Sequence, residues 1–165
     1  MWIAIWSILA LSEPLKVTKS TVSFLAVGRP AMIKIRGTGD CLAGEFKVSG
    51  KELLISAECD LRKISTGIDL RDTHMRDKYL EVKDFPKAFF TGSTAFKEGK
   101  SPLQGKLKVH GVEVPINGEV TGEKDKWTFE FKTKVTDHKI SVPEYLKIKV
   151  AEDILVTVEI FGTIN

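Results

Sequence analysis

Histidine and cysteine are scarce in this sequence. Two cysteines, Cys41 and Cys59, and three histidines, His74, His110 and His138, occur in 165 residues. No CxxC pair is present, which removes the usual thiol-redox and zinc signatures. Neither HExxH nor GxSxG occurs, which removes the helical zinc site of metalloproteases and the serine-hydrolase elbow. No apolar run reaches the ~20 residues that a membrane-spanning helix needs. A large excess of one charge is also missing. The net charge is +3 and the lysines are spread along the chain, so no electrostatic footprint for nucleic acid exists. Repeats, low-complexity tracts and linkers are absent, and the length fits one domain.

What the chain does have is alternation. Val22, Phe24 and Ala26 alternate with polar or small neighbours, and Ala31, Ile33 and Ile35 with Met32, Lys34 and Arg36. Leu42, Gly44, Phe46 and Val48 follow, then Leu53, Ile55, Ala57 and Cys59, joined through Ser49-Gly50-Lys51. Ala88, Phe90, Gly92, Thr94 and Phe96 share a face, as do Leu107 and Val109. The parity flips at His110-Gly111, which predicts a two-residue turn setting Val109 opposite Val112 and Leu107 opposite Val114. Trp127, Phe129, Phe131, Thr133 and Val135 alternate with Thr128, Glu130, Lys132 and Lys134. Leu146, Ile148 and Val150, then Ile154, Val156, Val158 and Ile160, end the pattern.

Period-2 patterning at this spacing predicts about eight to ten antiparallel strands. This is the pattern of a barrel or a sandwich: each strand has one face in water and one packed, and closing such a sheet on itself would remove its edges. Small residues on the inward face, Ala26, Gly44, Ala57, Gly92 and Gly118, either leave room inside or mark sharp bends.

Parity also bears on the two cysteines. Counted with the 42–48 strand, Cys41 falls with Glu45 and Lys47 on the outer face, whereas Cys59 points inward. Opposite faces predict no disulfide. The N-terminal run MWIAIWSILALS, apolar from Trp2 to Leu11, reads as the remnant of an export signal over 1–12, ahead of a domain at 13–165.

One stretch breaks the alternation: TGIDLRDTHMRDKYLEVKDFP, 66–86. Asp69 reads as an N-cap and Asp72 as its acidic N3 residue, with no Gly or Pro from Leu70 to Leu80. The spacing predicts a short helix over about 69–80 that caps one end of the barrel. Met75 and Tyr79 form its apolar side, flanked by Ile68, and Asp72 and Arg76 pair on its exposed back. Asp72 and His74 are two apart and do not face each other, so they make no acid–base couple. All three histidines read as surface or capping residues rather than catalytic or metal-binding ones.

The run TGIDLRDTHMRDKYLEVKDFPKAFFTG (66–92) resembles the signature of the YceI-like family of polyisoprenoid-binding proteins. LKVHGVEVPI (107–116) is similar to the family's His-Gly hairpin, and 17–39 and ILVTVEIFGTI resemble it more loosely. The resemblance implies a lipocalin-like, eight-stranded antiparallel barrel, located in the bacterial periplasm or secreted. It implies an isoprenoid chain in the interior with its head near the mouth.

On that reading the ligand-facing residues are Phe24, Ile35, Phe46, Ile55, Phe90, Phe129 and Val158 along the barrel. Ile68, Arg71, Met75 and Tyr79 stand at the mouth. The expected partner is a polyisoprenoid or other long-chain amphiphile, with weak contact to a membrane surface. No cofactor and no catalytic residue is expected, and both monomer and dimer remain open. Two rival readings stand beside this carrier. One is a solid barrel acting as an envelope stress or protein-interaction factor. The other is an enzyme acting on a small amphiphile, which requires His74 turned inward toward a carboxylate.

Overall fold

The computed structural model describes residues 11–30, 32–145 and 147–164. The export reading of 1–12 thus falls outside the described residues except at Leu11 and Ser12, and so do Ala31 and Leu146 of the predicted strands. The strands are β1 (Glu13–Arg29), β2 (Ile33–Gly39), β3 (Leu42–Ser49), β4 (Glu52–Asp60), β5 (Lys87–Ala95) and β6 (Gly99–Val109). They continue as β7 (Val112–Gly122), β8 (Lys126–Lys134), β9 (Glu144–Tyr145), β10 (Ile148–Val150) and β11 (Asp153–Ile164). One helix, α1 (Asp69–Thr73), lies between β4 and β5 and runs on as a π-helical turn, His74–Tyr79.

Eight strands form a closed antiparallel barrel. The ladder runs β11-β8-β7-β6-β5-β4-β3-β1, and β1 pairs with β11 to shut the ring. Closure removes the unpaired edges of an open sheet. The predicted turn is present: His110 and Gly111 both have positive φ, 54° and 74°, and Val109 faces Val112 while Leu107 faces Val114.

From Val22 to Gly28, β1 also pairs with β2 and runs on past the ring as a hairpin arm, whose β2 side meets, among the described residues, only Ser65 through an isolated bridge to Thr38. The short β10 pairs with Gly28 and Arg29 of this arm and with β9.

The two cysteines correct the sequence reading. Cys41 and Cys59 form a disulfide with Cα atoms 4.7 Å apart, and both are buried. Cys41 lies in the break between β2 and β3 and keeps the parity of β2, in line with Ile35, Gly37 and Gly39. The inward set switches to even numbers only at Leu42, so Glu45 and Lys47 are no guide to Cys41. A bulge between Val17 and Lys19 makes the matching switch on β1. Leu15 and Val17 point inward before it, and Val22, Phe24 and Ala26 after it. Two irregularities in facing strands thus keep the apolar side inward around the ring.

The interior divides into two halves. At the end formed by the β3–β4, β5–β6 and β7–β8 turns, Leu53, Val120 and Ile160 are fully enclosed and Phe96 stacks on Trp127 at 4.9 Å. The other end is hollow and lies beneath the helix.

The glycines serve mainly close approach. The Phe24 ring lies over its cross-strand partner Gly37, where a Cβ would come within 2.2 Å of it. Phe90 lies over Gly105 in the same way, at 2.6 Å. Gly92 and Gly118 of the inward set likewise sit against neighbouring backbone.

Opening the disulfide releases a loop of 18 residues, which corresponds to about 3 kcal/mol of stability in the chain-entropy account. Urea unfolding of Cys41→Ala/Cys59→Ala, or of the reduced protein, is expected to show a loss of that size. An unchanged midpoint would mean that the bridge constrains nothing.

Candidate functional site: an apolar cavity under a helical cap

The hollow half encloses a cavity of about 310 Å³. Phe46 and Phe129, 6.4 Å apart, and Phe90 and Phe131, stacked at 5.9 Å, belong both to the packed core and to the cavity wall. These rings are its floor. Ala26, Ala57 and Ala88 line the wall where larger residues would fill it, as do Val156 and Val158. The wall is almost wholly apolar, and the volume is at the small end of ligand pockets, which run from ~300 Å³ upward.

Ten of the eleven residues assigned to the ligand from sequence line this cavity. Phe24, Ile35, Phe46, Ile55, Phe90, Phe129 and Val158 stand along the barrel, and Arg71, Met75 and Tyr79 at its mouth. Ile68 does not; it is exposed. It occupies the N-cap position, one residue before the predicted cap Asp69, and its side chain turns to solvent.

The helix presents Arg71, Met75 and Tyr79 in one column, four residues apart. An α-turn overshoots a four-residue step, and the wider π-turn that follows undershoots it. The change in pitch between Thr73 and His74 keeps all three over the cavity.

The helix is anchored by a carboxylate, and here the structure corrects a second expectation. Asp72 is not an exposed partner of Arg76; it is 4% exposed. Its Oδ2 accepts from Ser65 Oγ at 2.6 Å, and its Oδ1 accepts from Thr66 N at 2.8 Å and from the Thr66 hydroxyl. Arg71 Nε donates to Thr66 Oγ1 at 2.8 Å and its Nη2 to Thr66 O at 2.9 Å. Arg76 Nη2 donates to Ile64 O at 2.6 Å. Three helix residues therefore hold segment 64–66, which crosses the barrel end and contributes Ile64 and Thr66 to the wall. Burial opposes ionisation of Asp72. The hydrogen bonds from Ser65 and Thr66, with Arg76 nearby, outweigh it and hold the carboxyl below its ordinary range.

The histidines sort differently from one another. His74 is exposed, as predicted, and is not turned inward. His138, expected at the surface, is 1% exposed and lines the cavity. Its Nδ1–H donates to Val112 O at 3.0 Å, and Nε2 bonds the Thr133 hydroxyl at 2.8 Å. It pins the 136–138 turn, with Ile140 and Pro143 behind it, against the barrel mouth. His110 bonds Glu81 and packs on Phe85 at 4.6 Å, tying the β6–β7 turn to the chain that leaves the helix. The Tyr79 hydroxyl accepts from Glu144 N at 3.3 Å, tying the helix to β9. Sequence reasoning passed over His138 because a polar exit from a strand looks like solvent.

The profile of the YceI-like domain matches residues 15–161, nearly the whole of the described chain. The chain belongs to the YceI-like family. Several solved structures share its fold. A polyisoprenoid binding domain from Saccharophagus degradans, implicated in plant cell wall breakdown, matches with a TM-score of 0.65 and 18% identity over 92% of this chain and 98% of that one. Burkholderia cenocepacia BcnA matches with a TM-score of 0.69 and 18% identity over 87% and 96%. The Campylobacter jejuni YCEI protein matches with a TM-score of 0.57 and 20% identity over 79% and 86%. Among functionally curated proteins none matches the chain. These identities speak for the fold.

The buried carboxylate has a signed pH consequence. Because the folded pKa of Asp72 is lowered, its contribution is full above the unfolded value of ~3.9 and is lost as pH falls through the folded value. Asp60, held to about 2 by its hydrogen bonds with Arg62, acts in the same direction. Asp72→Asn is therefore expected to lose about 2 kcal/mol at pH 7, with the gap to the parent narrowing below pH ~4. Urea unfolding across pH checks this; a gap that stays constant would rule out the ionised carboxylate as the anchor.

Proposed function

We propose that this protein binds the chain of a polyisoprenoid or similar long amphiphile in the hollow half of the barrel, as a carrier and not as a catalyst. The observation that carries the reading is the asymmetry of the interior. One half is packed as a core is packed; the other keeps a wall of alanine, valine and phenylalanine around about 310 Å³ of space. An apolar chain entering it gains ~25 cal/mol for each Å² removed from water. The floor of rings limits the depth, so the polar head stays at the mouth near Arg71 and Thr66. The polyisoprenoid-binding domain among the structural neighbours, by its name, supports the same ligand class.

Other features accord with a binder. The enzyme reading needs His74 facing a carboxylate inside, and His74 lies outside. The solid-barrel reading needs a filled interior. Residence in the periplasm or beyond the cell goes with the carrier, and the apolar run before residue 13 is read as its export signal. The buried Cys41–Cys59 bridge supports an oxidising compartment.

Quenching of intrinsic tryptophan and tyrosine fluorescence by a polyprenol carrying a fluorescent acceptor tests the reading. Saturable binding is expected, and Ala26→Phe and Val158→Phe, which fill the cavity, are expected to weaken it roughly 10- to 100-fold. Equal affinity in the filled variants, with their fold intact by circular dichroism, would place the chain elsewhere or nowhere.

A further inference from the structure

We propose that the hollow end of the barrel docks on the surface of an anionic lipid bilayer. The β1–β2 arm touches the membrane and the cavity mouth faces it. The proposal rests on the carrier reading and gives the chain a route from bilayer to cavity that avoids water.

The exposed apolar side chains carry the first part. Apart from Leu11 near the terminus, the large hydrophobic residues exposed among those described are Met32, Ile33, Leu54, Ile68, Leu70 and Phe89. Leu54 and Phe89 stand singly on the outer faces of β4 and β5, which is ordinary for a soluble sheet. The other four come as two pairs beside the mouth. Met32 and Ile33, 59% and 43% exposed, form the end of the arm. Ile68 and Leu70, 53% and 58% exposed, open the helix, between the cavity-lining residues Thr66 and Arg71. The arm joins the mouth directly: Ile35 of β2 and Ala26 of β1 line the cavity, as does Val150 of the adjoining β10.

Charge carries the second part. The arm and the β9–β10 segment beside it hold Arg29, Lys34, Arg36, Lys147 and Lys149 against one acid, Glu144. All five bases are exposed, and only Lys149 has an ion-pair partner among the described residues, Glu144 at 3.8 Å. The turns at the closed end mix both signs: Lys51, Glu52, Lys97, Glu98, Glu123, Lys124 and Asp125. Bases around exposed apolar tips are what an interface of anionic headgroups over acyl chain attracts. The helix beside the mouth mixes signs, with exposed Asp69 between Ile68 and Leu70 and Asp77, Glu81 and Asp84 beyond it, so the basic patch belongs to the arm and β10, and the arm is the part that meets the anionic surface.

Sedimentation of the full chain with phosphatidylcholine vesicles, with and without about 30 mol % phosphatidylglycerol, tests this. Binding is expected only to the anionic vesicles, falling as salt is raised. Lys34→Gln/Arg36→Gln is expected to weaken it about tenfold or more, and Met32→Ser/Ile33→Ser to reduce it as well. Lys51→Gln/Lys97→Gln/Lys124→Gln at the closed end, which removes one charge more, is expected to bind like the parent. Every variant keeps the apolar N-terminal run, so its contribution is common to all. Absence of binding to anionic vesicles, or equal loss from arm and closed-end variants, overturns the docking. The labelled-polyprenol titration in detergent-free buffer separates this from failure of the carrier reading: the arm variants are expected to retain parent affinity there.

Discussion

The structure depends on one constraint: the apolar side of every strand must face inward all the way round a closed ring. Pairing of β1 with β11 closes that ring. Closure is compatible with a long first hairpin only because the chain changes parity at matching places on facing sides, within β1 and between β2 and β3. The bulge after Val17 does this on β1, and the break at Asp40-Cys41 does it between β2 and β3. The disulfide lies at the second switch and ties it to β4. Remove the switch and either the arm or the lower barrel turns its apolar face to water.

Closure also explains how a hollow is tolerated. An empty apolar cavity forgoes packing at ~24 cal/mol per Å³, so one of about 310 Å³ forgoes several kcal/mol. A barrel selected for stability alone would fill it, as the Trp127 end is filled. The helix does not fill it either. It spends its buried carboxylate on segment 64–66 and its apolar column on the rim, so it roofs the space without entering it. The mouth is then built from four connections held to one another by the polar contacts of His138, His110, Tyr79 and Asp72 together with a small apolar cluster of Leu61, Ile64, Val82, Met75 and Leu80 beside the disulfide. A frame of this kind keeps the entrance in shape while the cavity below stays free.

Much of this was legible in the sequence. Period-2 alternation located nearly every strand, and the parity flip at His110-Gly111 gave a turn and its register. The inward set along the barrel and the Met75–Tyr79 side of the helix followed from the same counting. Counting failed where the chain leaves regular geometry. Counting Cys41 with β3 fails, although it lies in the break before that strand and keeps the parity of β2, because a one-residue parity switch leaves no mark in composition. Asp72 looked like half of a surface ion pair because Arg76 is four residues on. Its true partners, Ser65 and Thr66, lie before the helix and are ordinary in type. Ile68 looked apolar and therefore inward, yet the N-cap position aims it outward. The glycines were ambiguous until the rings of Phe24 and Phe90 were seen lying across Gly37 and Gly105.

The central claim is that the hollow half exists to hold a lipid chain. Native mass spectrometry of the protein purified from its own host, with organic extraction of whatever accompanies it, tests this most directly. The account predicts a retained adduct that extracts as a long-chain amphiphile. Protein that emerges at its bare mass, with nothing in the extract, would contradict it.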